Sequence, residues 1–382
     1  MNIITLKEEQ YIEAMHLSEY AFQYKVTEER IPQLIERMKK HQILYGILND
    51  QKVAAKLHLL PHYVYLQGEK WKMGGIAGVA TYPEYRRNGY VKALLSHSLE
   101  AMKSKGMTLS MLHPFDVAFY RKYGWELFSN RLTTTLKKSD LKRKREVSGK
   151  IKRWTPEGEH PDLSAIYERY ASQFSGMLVR DAAWWKSVVI DKQVAVYYDQ
   201  SGSAKGFMLY VIKDSKMIIE EIIPLNAEAR VGLWNFICQH DSMVEEVKMI
   251  THEQEPLFFS LDEPRVESDV KPYFMVRIVD MEAFIRKFSF KVESLNKPLR
   301  VSVTDSFAQW NNKTFVFSNQ GIKETEEDAD IHISTQHLAT ICFGYKRPAE
   351  LVEAGLIEGT VPAVEELEKL IPYTQPFFYD FF

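Results

Sequence analysis

The segment Val79-Ala80-Thr81-Tyr82-Pro83-Glu84-Tyr85-Arg86-Arg87-Asn88-Gly89-Tyr90-Val91 reads as a strand, a short loop and the start of a helix. It constrains the fold more tightly than any other stretch. The helix runs on to Lys105, with Val91, Leu94, Leu95, Leu99 and Met102 on one face. N–H groups in a helix's first turn lack intrahelical partners and sit at the positive end of its dipole. A glycine there lets a diphosphate approach the backbone, and Arg86 and Arg87 add charge-assisted donors. The alternative is a surface turn with two solvated arginines. The G-x-x-x-x-G-K-[ST] of a P-loop and the three glycines of a dinucleotide fingerprint are absent, which excludes those two phosphate sites.

Around this segment the chain reads as one mixed α/β domain. Residues 3–48 read as helices, and Lys52–Leu66 as strand pairs. Lys72–Thr81 is a small-residue strand and Met107–Leu112 a buried one. Val117–Tyr123 is a short helix stopped by Gly124, and Arg131–Leu136 is the last strand. Lys137–Arg153 is basic and reads as a solvated linker. A worn second copy follows: a helix at Leu163–Phe174, strands at Val194–Tyr198, Gly206–Ile212 and Met217–Ile223, then a strand–loop–helix over residues 222–240. There the loop-to-helix region keeps one arginine, Arg230, and one glycine, Gly232. From Met281 onward a third unit reads as strands at Leu299–Asp305, Lys313–Ser318 and Ile331–Thr335 with helices at Gln336–Phe343 and Val361–Leu370. The boundaries expected are 1–145, 146–285 and 286–382. A length of 382 residues suits two or three domains.

With 49 Lys+Arg against 51 Asp+Glu, no broad basic face for nucleic acid is expected. The longest run free of Asp, Glu, Lys and Arg, Ile331–Tyr345, is polar and too short to span a membrane, and the first residues lack a signal-peptide core. Cys238 and Cys342 stand alone, so neither a disulfide nor a zinc site is expected, and a reduced, cytoplasmic setting is the simplest reading.

A second segment, Phe119-Tyr120-Arg121-Lys122-Tyr123-Gly124-Trp125, follows the first loop by about thirty residues. Together the two resemble the GNAT superfamily of N-acetyltransferases. The first matches the acyl-CoA pyrophosphate loop [QR]-x-x-G-x-[GA] at Arg86 and Gly89 and departs from it at Val91. The second resembles the F-Y-x-x-x-G-[FW] helix. The order of domains, the G-V-A-T-x-P-x-Y-R-R-x-G run, and the spacing of His113 and Tyr120 resemble the Eis family within it. That resemblance implies tandem GNAT-like domains followed by a sterol-carrier-protein-like α+β domain.

It also implies acetyl-CoA as co-substrate, held by Val79, Ala80, Thr81, Arg86, Arg87, Asn88, Gly89, Tyr90, Val91 and Lys92, with no metal. Free N–H groups near Val79 and Ala80 would take the thioester carbonyl. Tyr120 would be the general acid and the terminal carboxylate of Phe382 the general base; by residue type alone, either could be ordinary packing. His113 either orients the site or is a core histidine. The acceptor would be a small-molecule primary amine, cationic and aminoglycoside-like or lysine-like, with Asp380, Glu28 and Glu29 as acids able to attract it. A homo-oligomer, a hexamer, is implied as well. His58 and His62 could share a strand face, though Pro61 and the lack of an acidic partner speak against a metal. Trp184-Trp185 reads as a helix anchor. Two other functions remain open: a tandem-GNAT acyl or aminoacyl transferase with another donor, and a non-catalytic acyl-CoA or lipid binder.

Overall fold

A computed structural model describes residues 2–155 and 158–382. The chain begins with β1 (Ile3–Thr5), α1 (Glu8–Phe22), α2 (Ile31–His41), β2 (Ile43–Asn49), β3 (Lys52–Leu66) and β4 (Glu69–Thr81). Then come α3 (Tyr90–Ser104), β5 (Leu109–Leu112), α4 (Val117–Arg121) and β6 (Glu126–Leu127). The expectation of helices throughout residues 3–48 is corrected by two strands. Ile43–Leu48 is a continuous apolar run, and such a run has no period to separate strand from helix. Lys52–Leu66 is a single strand rather than a pair. It survives Pro61 because β2 pairs with β3 only as far as Leu59, so the missing N–H faces no partner on that side.

The second part comprises β7 (Asn130–Lys137), β8 (Lys150–Trp154), α5 (Pro161–Ala171), α6 (Ala182–Val189), β9 (Gln193–Tyr198), β10 (Ala204–Lys213) and β11 (Lys216–Pro224). It continues with α7 (Ala227–Cys238), β12 (Glu246–Thr251), α8 (Pro256–Phe259), β13 (Glu267–Pro272) and β14 (Met275–Ile278). The first two sheets exchange strands. The first has the order β1-β2-β3-β4-β5-β14-β6, the second β13-β7-β12-β11-β10-β9-β8. Arg131–Leu136, expected as the last strand of the first unit, lies instead in the second sheet between β12 and β13. Its place in the first sheet is taken by β14, which pairs with β5 through Met275↔Leu112. Alternation identifies a strand, but its partner is set by contacts more than a hundred residues away. The basic stretch is not all linker, because Lys150–Trp154 forms an edge strand against β9. The other edge, β13, is fully exposed and carries Glu267, Asp269, Lys271 and Pro272, residues that discourage pairing with another chain.

The third part contains α9 (Met281–Lys287), β15 (Leu299–Thr304), β16 (Lys313–Ser318), β17 (Gly321–Thr325), β18 (Ile331–Ser334) and α10 (Thr335–Cys342). It ends with α11 (Pro348–Glu353), β19 (Glu358–Gly359) and α12 (Val361–Leu370). Its five-stranded sheet has the order β17-β16-β15-β18-β19. One continuous apolar core joins it to the other two units, running from Trp71 and Met111 through Phe207 to Phe317 and Phe378. Arg277 on β14, fully buried, is ion-paired at 2.5 Å with Asp305 of the third part. No described helix is long and apolar enough to cross a membrane.

Candidate active site

β4 and β5 run parallel from Met73↔Leu109 to Ile76↔Leu112 and then part. Beyond that fork β4 carries a bulge: His58 faces Ala77 and Lys56 faces Ala80, so Gly78 and Val79 share a single opposite residue. Ala80 is itself in register with Lys56. The strand then turns through Pro83–Tyr85 into α3. α3 has no side-chain cap. Its N-cap is Gly89 at φ 77°, with nothing within 4 Å of where a Cβ would stand. Its first turn contains no acidic residue. The orphan N–H groups of α3 therefore face open space.

That space is a cavity of about 560 Å³, closed by the end of β4, the loop into α3, Phe22, Phe119 of α4 and Tyr123 in the turn after it. All the residues expected to hold the cofactor line it except Asn88, whose amide turns back to the Tyr85 carbonyl at 3.2 Å. Arg86, Arg87 and Lys92 are exposed at its rim, and none has an ion-pair partner among the described residues. An elongated polyanion with an apolar end fits this set: an uncapped helix terminus and free cations at one end, aromatic walls at the other.

Tyr120 lies on α4 behind Phe115 and Phe119, which line this cavity, and does not itself line it. It is buried, edge-on to Phe119 at 5.2 Å and near Phe115 at 5.5 Å and Trp125 at 6.3 Å. Asp116 starts the helix by accepting the Phe119 N–H at 2.8 Å. Burial pushes the Tyr120 phenol well above its ordinary value. His113 is not a core residue. It is exposed at the end of β5, and its ring meets Phe381 at 5.1 Å and Tyr273 at 5.2 Å. Desolvation by the rings packed on it, and then Arg131, hold its pKa down.

The chain's end reaches this fork. The Phe382 ring lies against Gly75, where a Cβ would come within 2.8 Å of it, and against Phe274 at 5.0 Å and His62 at 5.8 Å. Its carboxylate has no ion-pair partner among the described residues. The tail is held along its length. Ser175 donates to Gln375 at 2.8 Å, and Tyr273 donates its hydroxyl to the Asp380 carbonyl at 2.8 Å. Arg180, with no exposed side-chain area, donates to Asp380 at 2.9 Å and to Glu221 at 3.0 Å. Trp184 Nε1 and the Tyr167 hydroxyl also donate to the Asp380 carboxylate, at 2.7 and 3.2 Å. Desolvation opposes the Arg180 charge, but Asp380 and Glu221 override it. Asp380, expected to attract a cationic acceptor, is thus already neutralised. Glu28 and Glu29 are exposed in the turn before α2.

A larger cleft, about 1050 Å³, opens between α2 and α6 next to His62 and Trp184. Its walls carry Arg30, Arg37, Lys40 and Lys186 against Glu36, Asp181 and Asp191. Trp184 is more than a helix anchor, since it bonds the tail. His58 and His62 do sit on one face of β3. His58 is engaged by Lys56 at 2.8 Å and Gln42 at 2.7 Å, and among the described residues no group of three or more His, Cys, Asp or Glu could hold a metal. Sequence reasoning missed Lys56, Arg180 and Gln42. The only signal available for Lys56 was a lysine at an inward position in an otherwise apolar strand.

Residues 2–128 match an acetyltransferase (GNAT) domain, 176–278 a second GNAT domain, and 281–379 a sterol carrier protein domain. N-acetyltransferase Eis of Mycobacterium tuberculosis is 24% identical over 299 residues, 73% of each chain. A probable N-acyltransferase from Enterococcus faecalis superimposes with a TM-score of 0.92 at 27% identity, over 100% of this chain and 99% of that one. Eis1 of Mycobacterium abscessus, at 18% identity, shares the fold over the full length of both chains with a TM-score of 0.85. With two GNAT domains followed by a sterol-carrier domain, the chain is a GNAT acetyltransferase, and it is similar to the Eis N-acetyltransferases over 73% of its length.

Proposed function

We propose that the chain transfers acetyl from acetyl-CoA to a primary amine of a small acceptor, by direct attack within the first GNAT unit. The observation that carries this reading is the seat of Phe382 on Gly75, at the point where β4 and β5 part. A chain end packed partly buried among aromatic rings, without an ion-pair partner among the described residues, would serve as a proton acceptor held in place.

The cofactor's pyrophosphate would rest on the N-terminus of α3, with Arg86, Arg87 and Lys92 around it. The Val79 N–H would donate to the thioester carbonyl. The Phe382 carboxylate takes a proton from the acceptor amine as its nitrogen attacks. The C–N bond forms, the C–S bond breaks, and the Tyr120 hydroxyl gives its proton to the departing sulfur. A raised phenol pKa keeps Tyr120 protonated through the working range, so the donor is always loaded. The family resemblance makes aminoglycoside-like and lysine-like amines the first acceptors to assay. It also makes the working particle a homo-oligomer, a hexamer.

Thiol release from acetyl-CoA, measured with a panel of such amines, tests the reading. Tyr120→Phe should lower kcat by about 10²–10³-fold and leave the CoA dissociation constant within about twofold. CoA binding by the wild type without turnover of any amine would instead favour an acyl-CoA sensor.

A further inference from the structure

Lys56 is fully buried on β3 and has no carboxylate beside it. Its Nζ donates to the Gly78 carbonyl oxygen at 2.8 Å and to His58 Nε2 at 2.8 Å. His58 then carries its proton on Nδ1 and donates it to Gln42 Oε1 at 2.7 Å. The group is interlocked with the bulge. Gly78 has φ 55°, and a Cβ there would stand 3.0 Å from both Lys56 Nζ and the His58 ring. A lysine taken wholly out of water without an anion costs stability, and such costs are concentrated where a charge has work to do.

The carbonyl that Lys56 grips belongs to the same peptide unit as the Val79 N–H. No described peptide bond is cis, so that N–H points opposite to the carbonyl. Val79 lines the cofactor cavity. An ammonium on the carbonyl oxygen draws electron density along the peptide and makes its N–H a stronger donor.

Resting on the acetyl-transfer reading, we propose that Lys56 is a positioning residue. Its ammonium fixes and polarises the Gly78–Val79 peptide, so that the Val79 N–H stabilises the oxygen of the tetrahedral intermediate. Lys56 does not itself touch substrate.

The role predicts a pH signature. Burial lowers the Lys56 pKa to about 7. The groups facing it are His58 on its own strand, the Gly78 carbonyl on β4 and, beyond His58, Arg37 of α2 with the neutral Gln42. Burial, then Lys56 and Arg37, holds His58 well below its ordinary value, so it stays neutral across this range. Lys56 is therefore charged below about pH 7 and loses its charge, and its effect on Val79, as pH rises through that value.

The experiment compares wild type, Lys56→Met and Lys56→Arg by kcat from roughly pH 6 to 9, with CoA binding as the measure of folding. Lys56→Met should lower kcat at least about tenfold at the acid end, with the acetyl-CoA dissociation constant within about threefold. The ratio of wild-type to Lys56→Met kcat cancels the acceptor's own titration, and it should shrink as pH rises through about 7. Lys56→Arg, charged throughout, should restore part of the rate and hold its ratio to Lys56→Met flat with pH. A Lys56→Met enzyme that binds CoA and turns over within about twofold of wild type overturns the proposal. So does a wild-type ratio that is large but constant with pH, which marks a purely structural role. A wild type that binds CoA and acetylates no amine removes the acetyl-transfer reading itself, and this role with it.

Discussion

The two GNAT units turn the same strand–loop–helix in opposite directions. In the first, α3 begins uncapped at Gly89 and faces a cavity. In the second, α7 is capped by its own Asn226, which accepts the Ala229 N–H at 2.8 Å, and it carries Glu228 in its first turn. Glu228 is tied to the Tyr197 hydroxyl at 2.8 Å and to Ser148 at 2.7 Å, and the Tyr197 ring packs onto Gly232. Arg230 is spent on Glu255 at 2.6 Å. An anion arriving there would find the Ala229 N–H already taken and would meet a carboxylate. The forks differ in the same way. β11 and β12 are paired only as far as Ile219↔Met249, and beyond that point the Tyr379 hydroxyl bridges to Ile222 at 3.2 Å and to Ile250 at 3.4 Å. The tail thus fills the second fork on its way to the first. The same local motif becomes structural when its charged groups are engaged internally.

This contrast can be broken by moving one feature across it. Val91→Glu places a carboxylate in the first turn of α3, where α7 has Glu228. It should weaken CoA binding about 100-fold at low salt, and by less at high salt, as measured by calorimetry. An unchanged affinity would detach the α3 terminus from the pyrophosphate. Asp380→Asn tests whether the second unit serves as the tail's mount. Removing that charge leaves Arg180 paired with Glu221 and weakens only its hydrogen bonding to residue 380, so thermal unfolding should show a loss of about 1–2 kcal/mol. If the mount aims the tail, kcat should fall about tenfold while CoA binding holds. A fall in stability with kcat intact would make the lock purely structural. Gly232→Ala should act on the second unit alone. A Cβ there would stand 2.4 Å from the Tyr197 ring, which costs about 1–3 kcal/mol of stability with no change in CoA affinity. A changed affinity would show that the second helix terminus takes part in binding.

Much of the first unit's site was legible because its chemistry is local. Arg86, Gly89 and Tyr120 belong to two short segments with fixed spacing, and the helix period through Leu94, Leu95 and Leu99 places the loop at a helix start. What was hidden depends on partners distant in sequence. β7 and β14 read as strands, yet nothing in their alternation says that they exchange sheets. Arg180 and Asp380 are two hundred residues apart, so their pairing could not be read from spacing. Lys56 looked like one polar residue in a long strand, and its meaning appears only once the bulge brings Gly78 against it. Asp380 misled for the same reason: an acid near a chain end suggests attraction for cations, until a buried arginine is found to have consumed it.

The role of the chain's end can be tested without altering any side chain. One glycine added after Phe382 moves the terminal carboxylate by up to about 3.6 Å and leaves the Phe382 ring free to keep its seat on Gly75. If that carboxylate accepts the amine's proton in the first unit, kcat should fall at least about tenfold across several amines, with CoA affinity unchanged. Equal turnover by the extended and native chains, with every amine tried, would contradict it.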